Sequence, residues 1–177
     1  GEIAAAWSVF LFWMPLERWL LPRDQPGRRA GRLPVLLIHG YVNNAGSLWR
    51  LWRALCGQGV AVYTLNLEPV YADIDRYAAL IEARIDAIRA MTGASRVMLV
   101  CHSMGGLAAR AYLRHCAGQH RDAGVAKVVT LGTPHQGTVL AHLERSPNGR
   151  QMVPANVWLA ALAAGERGVW PCPIVSV

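Results

Sequence analysis

Residues 96–110 read R-V-M-L-V-C-H-S-M-G-G-L-A-A-R, and this stretch decides the fold class. The apolar run 97–101 is typical of a buried strand, and the residues after Ser103 favour a helix. A serine at such a turn most often caps the helix. It can also be a nucleophile that a tight strand-to-helix turn lifts clear of its neighbours, which requires small residues two positions before and after it. Cys101 and Gly105 meet that size requirement, so we interpret Ser103 as a nucleophile.

The rest of the chain repeats this alternation of apolar strand and helix. The helix pattern is clearest over residues 73–92, where apolar residues recur every three to four positions and Gly93 ends the run. Further apolar runs predict strands at residues 34–39, 60–67, 126–131 and 173–177. Continuously apolar strands that alternate with helices predict an α/β fold, with a parallel sheet covered by helices on both faces.

Polar residues of the kinds that take part in catalysis or ligand binding directly follow several of these strands. They are His39 and Gly40, Glu68, His102 and Ser103, and Thr133 and His135. Ligands of parallel sheets gather at the carboxyl ends of the strands, where all of these residues fall. The coincidence of position with chemistry predicts an enzyme.

The turn at Ser103 also places backbone donors near the hydroxyl. A helix that starts at the nucleophile directs free N–H groups and its positive dipole end at the reaction site, so the N–H of Met104 can meet a tetrahedral oxyanion. Gly40 allows a sharp turn after the first strand, and the N–H of Tyr41 can supply the second donor. These two groups form the predicted oxyanion hole.

Three motifs carry a family resemblance: L-L-I-H-G-Y at 36–41, H-S-M-G-G at 102–106 and L-G-T-P-H-Q-G at 131–137. In this order they resemble bacterial triacylglycerol lipases and esterases of the α/β-hydrolase superfamily. The resemblance implies that Ser103 is the nucleophile of a serine carboxylester hydrolase that cleaves acyl esters or lipids through an acyl-enzyme. It implies that residues 137–165 are a lid-like region. The further residues that it assigns are Tyr41 and Met104 to the oxyanion hole, and His39, Gly40, His102 and Gly105 to the motif scaffold.

The resemblance also implies an acid and a histidine after Ser103, in that order. The acids that follow Ser103 are Asp122, Glu144 and Glu166, and none of them ends a predicted strand. The pattern favours His135 as a residue that positions a turn. We therefore expect the triad acid and histidine beyond residue 177, a hydrolase core over 34–177 that is truncated at its C-terminus, and little activity from this chain alone.

Other functions fit the same residues. A thioesterase, amidase or acyltransferase would use the same apparatus. A non-catalytic hydrolase-like module that binds a lipid or a protein partner at a membrane is the alternative from a different class. The four cysteines have no metal-ligand spacing, so the sequence assigns no residue to a metal, and we expect no cofactor.

The first 33 residues differ in character from the core. Residues 1–21 are apolar and rich in aromatic side chains, and residues 22–33 form a Pro- and Arg-rich linker. This composition favours membrane contact through residues 3–21 and a membrane-associated protein of a bacterium. The alternatives are a segment packed on its own domain, and a soluble protein. The net charge is +7, but the basic residues form no stripe with a reader motif, so we expect no nucleic-acid partner.

Overall fold

A computed structural model describes residues 16–17, 33–165 and 172–177 of the 177-residue chain. Most of the predicted N-terminal segment and all of the linker up to residue 32 lie outside the described residues, as does Glu166. Within the described residues, five parallel strands form one sheet in the order β2-β1-β3-β4-β5. The strands are β1 (Val35–Ile38), β2 (Val62–Leu65), β3 (Val97–His102), β4 (Val125–Leu131) and β5 (Ile174–Ser176).

Five α-helices connect or follow these strands in the described part of the chain. They are α1 (Trp49–Gly57), α2 (Tyr77–Thr92), α3 (Met104–Gly118), α4 (Pro147–Gln151) and α5 (Val157–Gly165). Short 3-10 turns occupy Ala45–Leu48, Ile74–Arg76 and Val139–Leu143. The predicted helix over 73–92 is therefore a 3-10 turn followed by α2, and it ends at Gly93 in the left-handed conformation, with φ 71°.

The two faces of the sheet carry different layers. Leu36, Ile38 and Leu99 point to one face and pack with the buried residues of α2 and α3. Val35 and Leu37 point to the opposite face, where the apolar side of α1 packs against them. The prediction of an α/β fold with helices on both faces of a parallel sheet is confirmed.

The parallel arrangement brings the carboxyl ends of all the strands to one edge of the sheet. β1 pairs with β2 on one side and with β3 on the other, so the residues after β1 lie between those that follow β2 and β3. The predicted site residues lie at the ends of β1 and β3, and the other polar residues named above, Glu68, Thr133 and His135, follow β2 and β4. The fold therefore gathers them at one edge.

None of the helices in the described part of the chain has both the length and the hydropathy that a bilayer-spanning segment requires.

Candidate active site

Ser103 lies between β3 and α3 in a conformation that few residues adopt. Its φ is 51° and its ψ is −126°, and its side chain makes no capping hydrogen bond to the helix. A positive φ at a residue other than glycine costs about 1–3 kcal/mol and persists where the surroundings enforce it. The serine is therefore not an ordinary N-cap, and the structure has the strained strand-to-helix turn that the sequence predicted.

Close approach of the backbone explains the glycines around Ser103. A Cβ atom added at Gly105 would lie 2.5 Å from the carbonyl oxygen of His39 and 2.8 Å from that of Ile38. A Cβ atom added at Gly40 would lie 2.8 Å from the Cβ atom of Ser103. The end of β1 is thus packed directly against the turn at Ser103. A larger side chain at Gly40 or Gly105 would push the end of β1 away from this turn.

The loop after β4 holds the turn from the other side. The Ser103 N–H donates to the carbonyl oxygen of Leu131 (2.9 Å), and the hydroxyl of Thr133 donates to the carbonyl oxygen of Ser103 (2.9 Å). A Cβ atom at Gly106 would lie 2.2 Å from Thr133 Oγ1. Thr133 is a positioning residue that the sequence analysis did not assign, although it belongs to the quoted G-T-P-H motif.

His39 is buried, and its hydrogen bonds fix one tautomer of the neutral imidazole. Its Nε2 atom accepts from the Leu67 N–H (2.9 Å), so Nδ1 carries the proton and donates to the carbonyl oxygen of Gly40 (2.9 Å). Burial lowers the pKa of His39, and the neighbouring His102 lowers it further, whereas the hydrogen bond to Gly40 acts against both. The neutral imidazole joins the ends of β1 and β2, which is a scaffold role.

His102 and Cys101 end β3 beside the nucleophile. The Nδ1 atom of His102 is buried without a hydrogen-bond partner among the described residues, and burial lowers the pKa of this imidazole. Cys101 is fully buried, and burial raises the pKa of its thiol well above the usual range. Cys101 therefore stays neutral, and its small side chain fills the position that glycine has in the more common motif.

The predicted oxyanion donors come from two of these elements. Met104 is the first residue of α3, and the first backbone N–H groups of a helix have no partner within it. Tyr41 follows Gly40 at the end of β1, and Val42 next to it has a positive φ of 51°. The roles of Tyr41 and Met104 as donors remain predictions.

The side chain of Tyr41 reaches a distant part of the chain. Its hydroxyl donates to Glu144 Oε2 (2.6 Å) and lies 2.9 Å from Ser146 Oγ. Burial and the hydrogen bond to Glu144 raise the pKa of Tyr41. This contact joins the loop after β1 to the predicted lid-like region, and no pattern in the sequence indicates it.

His135 is enclosed by a polar network at the end of β4. The guanidinium of Arg110 lies 3.1 Å from Nδ1, and because arginine can only donate, Nδ1 accepts and Nε2 carries the proton. Nε2 lies 3.0 Å from Thr130 Oγ1 and 3.1 Å from Ser176 Oγ. The imidazole connects α3, β4 and β5, as a turn-positioning residue would.

A cavity of about 390 Å³ opens at the same edge of the sheet. His39, Val42 and Asn43 line it from the loop after β1, and residues 66–68 line it from the loop after β2. Its volume is in the range of small-molecule sites, but its lining residues do not include Ser103, Tyr41 or Met104. Among the described residues, no group of three or more His, Cys, Asp or Glu side chains could hold a metal ion.

Comparison with known proteins assigns the chain to a family. The model of the PGAP1-like alpha/beta domain matches residues 72–162, just over half of the chain. The chain belongs to the PGAP1-like alpha/beta domain family. The matched range of the PGAP1-like domain includes the elbow at Ser103 and the loop with Thr133 and His135.

Curated relatives agree with the lipase resemblance. The chain is 34% identical over 120 residues to a triacylglycerol lipase of Pseudarthrobacter phenanthrenivorans. The aligned region covers 63% of this chain and 36% of that protein. It is also 34% identical over 120 residues to a triacylglycerol lipase of Burkholderia plantarii, with 63% of this chain and 32% of that protein covered. The PGAP1-like chain thus spans about a third of the length of the curated relatives it matches.

A solved structure confirms the fold. The mature form of a Bacillus licheniformis lipase superposes with a TM-score of 0.71 at 19% sequence identity, over 88% of this chain and 68% of that one. At this identity the likeness concerns the fold, and it confirms that the PGAP1-like domain has the α/β-hydrolase architecture.

Proposed function

We propose that this chain carries the nucleophile and the oxyanion hole of a serine carboxylester hydrolase that acts on acyl esters of the lipid type. One observation carries the proposal. Ser103 has an enforced positive φ at the carboxyl edge of the sheet, and its side chain caps nothing in the helix that follows. The turn holds a hydroxyl in a costly conformation that no capping interaction explains, and this supports the assignment of Ser103 as the nucleophile.

The proposed reaction has two halves. Ser103 Oγ attacks the ester carbonyl carbon while a base takes its proton, and the N–H groups of Tyr41 and Met104 receive the oxyanion. The ester C–O bond breaks, the alcohol leaves with that proton, and the acyl group stays on Ser103. Water then attacks the acyl-enzyme with the same base and releases the carboxylic acid.

We place the triad acid and histidine outside residues 1–177. The nitrogen atoms of His135 lie within hydrogen-bond distance of Arg110, Thr130 and Ser176, and His39 is neutral with both ring nitrogens paired. The short span of the chain relative to its curated relatives leaves room for the missing pair.

A lipid substrate and a membrane-associated location are part of the proposal. Val139, Leu140 and Leu143 are 72%, 71% and 83% exposed on the 3-10 turn that begins the lid-like region. Exposed apolar residues that lie together favour contact with an acyl chain or a lipid surface. The apolar residues 3–21 are proposed to add to this contact. Co-sedimentation with vesicles should weaken on deletion of residues 1–21, and equal binding of the deletion variant would contradict it.

Fluorophosphonate labelling followed by intact mass tests the nucleophile. The reagent is applied to this chain and to the natural protein extended past Val177, each compared with its Ser103→Ala variant. We expect one adduct on the extended protein, its loss in Ser103→Ala, and little adduct on the short chain.

Two outcomes would contradict parts of the proposal. Equal labelling of the short chain would mean that a base lies within residues 1–177, so the assignment of the triad would be wrong. A folded extended protein that never labels would favour the non-catalytic module that binds a lipid or a protein partner.

A further inference from the structure

We propose that Glu144 and Ser146 are positioning residues that hold Tyr41, and through it the backbone N–H of Tyr41, in the orientation that binds the oxyanion. The inference rests on the proposed function, since it adds positioning residues to the same site. It assigns a task to the segment 144–151, which lies far from the nucleophile in the sequence.

The contact to Tyr41 is short and specific. The tyrosine hydroxyl donates to the Glu144 carboxylate at 2.6 Å and lies 2.9 Å from the hydroxyl of Ser146. Hydrogen bonds that involve a charged partner are shorter and about twice as strong as those between neutral groups. The ring of Tyr71 packs edge-on against Tyr41, with centroids 6.2 Å apart. The side chain of Tyr41 is therefore held at its tip and at its ring.

The segment that carries Glu144 is itself held by its contacts. Ser146 caps α4 by accepting from the N–H of Gly149, and a Cβ atom at Gly149 would lie 2.5 Å from Glu144 Cβ. Asn148 is fully buried and donates to the carbonyl oxygen of Val70 (2.7 Å). The segment is thus fastened to the loop after β2.

The backbone on the other side of Tyr41 is also confined. Gly40 packs against Ser103, where no space for a Cβ atom exists, and Val42 has a positive φ that a β-branched residue rarely adopts. The peptide between Gly40 and Tyr41 lies between these two constraints and the anchored ring. Release of the ring from Glu144 removes one of the three constraints on the orientation of the N–H.

The effect should appear in turnover more than in substrate binding. An oxyanion forms only in the transition state, so a misoriented donor lowers kcat and leaves KM nearly unchanged. Loss of a whole donor costs about 100- to 1000-fold. We expect about tenfold in kcat from Tyr41→Phe and from Glu144→Ala, because the donor is loosened and not removed.

The test uses the natural full-length protein and a p-nitrophenyl ester. Tyr41→Phe breaks both hydroxyl contacts and Glu144→Ala breaks the shorter one, so the double variant should lose no more in kcat than Tyr41→Phe alone. Glu144→Gln keeps an acceptor oxygen and should restore most of the activity. Glu82→Ala, which removes another surface carboxylate that pairs with Arg121, is the matched control and should behave as wild type. Thermal unfolding identifies any variant whose fold is damaged.

The outcomes separate this inference from the function on which it rests. If the wild-type protein neither turns over the ester nor labels at Ser103, the proposed function fails. If it does both, but Tyr41→Phe keeps wild-type kcat, the positioning inference is overturned. A loss confined to KM, or losses that multiply in the double variant, would overturn it as well.

Discussion

At the scale of single residues, the site is built from backbone contacts that leave no room for side chains. Gly40, Gly105 and Gly106 each face a heavy atom within 2.8 Å of where a Cβ atom would be. Ser103 lies among these glycines and keeps a side chain, and it does so at a positive φ. The backbone strain is thus concentrated at Ser103, the residue whose hydroxyl must be clear of its neighbours.

The strain at Ser103 predicts an inverted order of stability for two small substitutions. Alanine normally stabilises a folded chain relative to glycine, but at φ 51° and ψ −126° it keeps the steric clash that glycine avoids. We expect Ser103→Gly to be more stable than Ser103→Ala by about 1 kcal/mol. Urea unfolding of both variants gives the difference, and a more stable alanine variant would show that the turn is not strained.

The close approach at Gly105 predicts a clear cost for one methyl group. Gly105→Ala would bring Cβ to within 2.5 Å of a carbonyl oxygen of the backbone, so the end of β1 must shift. We expect a loss of about 1–3 kcal/mol in the free energy of unfolding, measured by urea denaturation.

Gly118→Ala is the matched control for Gly105→Ala. Gly118 ends the same helix, and apart from its chain neighbours and the adjacent helix backbone no atom of the described residues lies within 4 Å of where its Cβ atom would be. The substitution should be neutral or stabilising, by up to about 1 kcal/mol. Equal effects at both positions would show that helix propensity and not the close approach decides the cost.

At the scale of elements, the ends of β1 and β3 each carry a histidine whose neutral form is favoured by burial. Burial lowers the folded-state pKa of His39 and of His102. Near pH ~6.5 these two histidines therefore bind protons in the unfolded chain but not in the folded chain. Their contribution to stability is fully present above that pH and is lost as the pH falls toward their folded-state pKa.

We predict that the free energy of unfolding decreases as the pH falls from 7.5 to 5.5. Each histidine contributes at most about 1.4 kcal/mol per pH unit to the slope. His102→Gln should reduce the slope, because it removes one of the two imidazoles whose folded-state pKa is lowered. Denaturant titrations at five pH values give the slopes, and an unaltered slope in His102→Gln would contradict the assignment.

Local patterns were sufficient for the strands and for the turn at Ser103. Apolar runs and helical spacing predicted each strand, α2 and α3 to within a few residues, because burial on a two-sided sheet imposes those patterns. The start of α2 was less clear. The side chain of Asp73 accepts from the Asp75 N–H and begins a 3-10 turn, whereas spacing alone suggests one continuous helix.

Contacts between distant side chains could not be predicted in this way. Tyr41 meets Glu144, and His135 meets Arg110 and Ser176, through loops whose approach is set by the whole sheet. No short-range pattern marks these partners, and each side chain alone has an ordinary surface or turn interpretation. Sequence reasoning therefore identified the motif residues but not the residues that hold them in place.

At the scale of the whole molecule, burial determines which thiols react. All four cysteines are free, and Cys101, Cys116 and Cys172 are buried, while Cys56 on α1 is partly exposed. Burial raises the pKa of each of these thiols, which further slows alkylation.

We predict a single N-ethylmaleimide adduct on the native chain at pH 8.5 and four adducts in about 6 M guanidinium chloride, a concentration that unfolds most domains. Cys56→Ser should leave the native chain unmodified, because the three remaining thiols become accessible only on unfolding. Intact mass gives both counts. Rapid modification of Cys101 or Cys116 under native conditions would mean that the sheet and α3 are not packed as described.

The position of β1 at the inside of the sheet has a consequence for synthesis on the ribosome. Val35 pairs with Val62 on one side and with Met98 on the other, and both partners are translated after it. With translation at about 5–20 residues per second, the apolar strand waits several seconds before its second neighbour emerges. During that interval the edge of β1 that will pair with β3 has no partner strand, so β1 is exposed to incorrect pairing until residues 97–102 have been made.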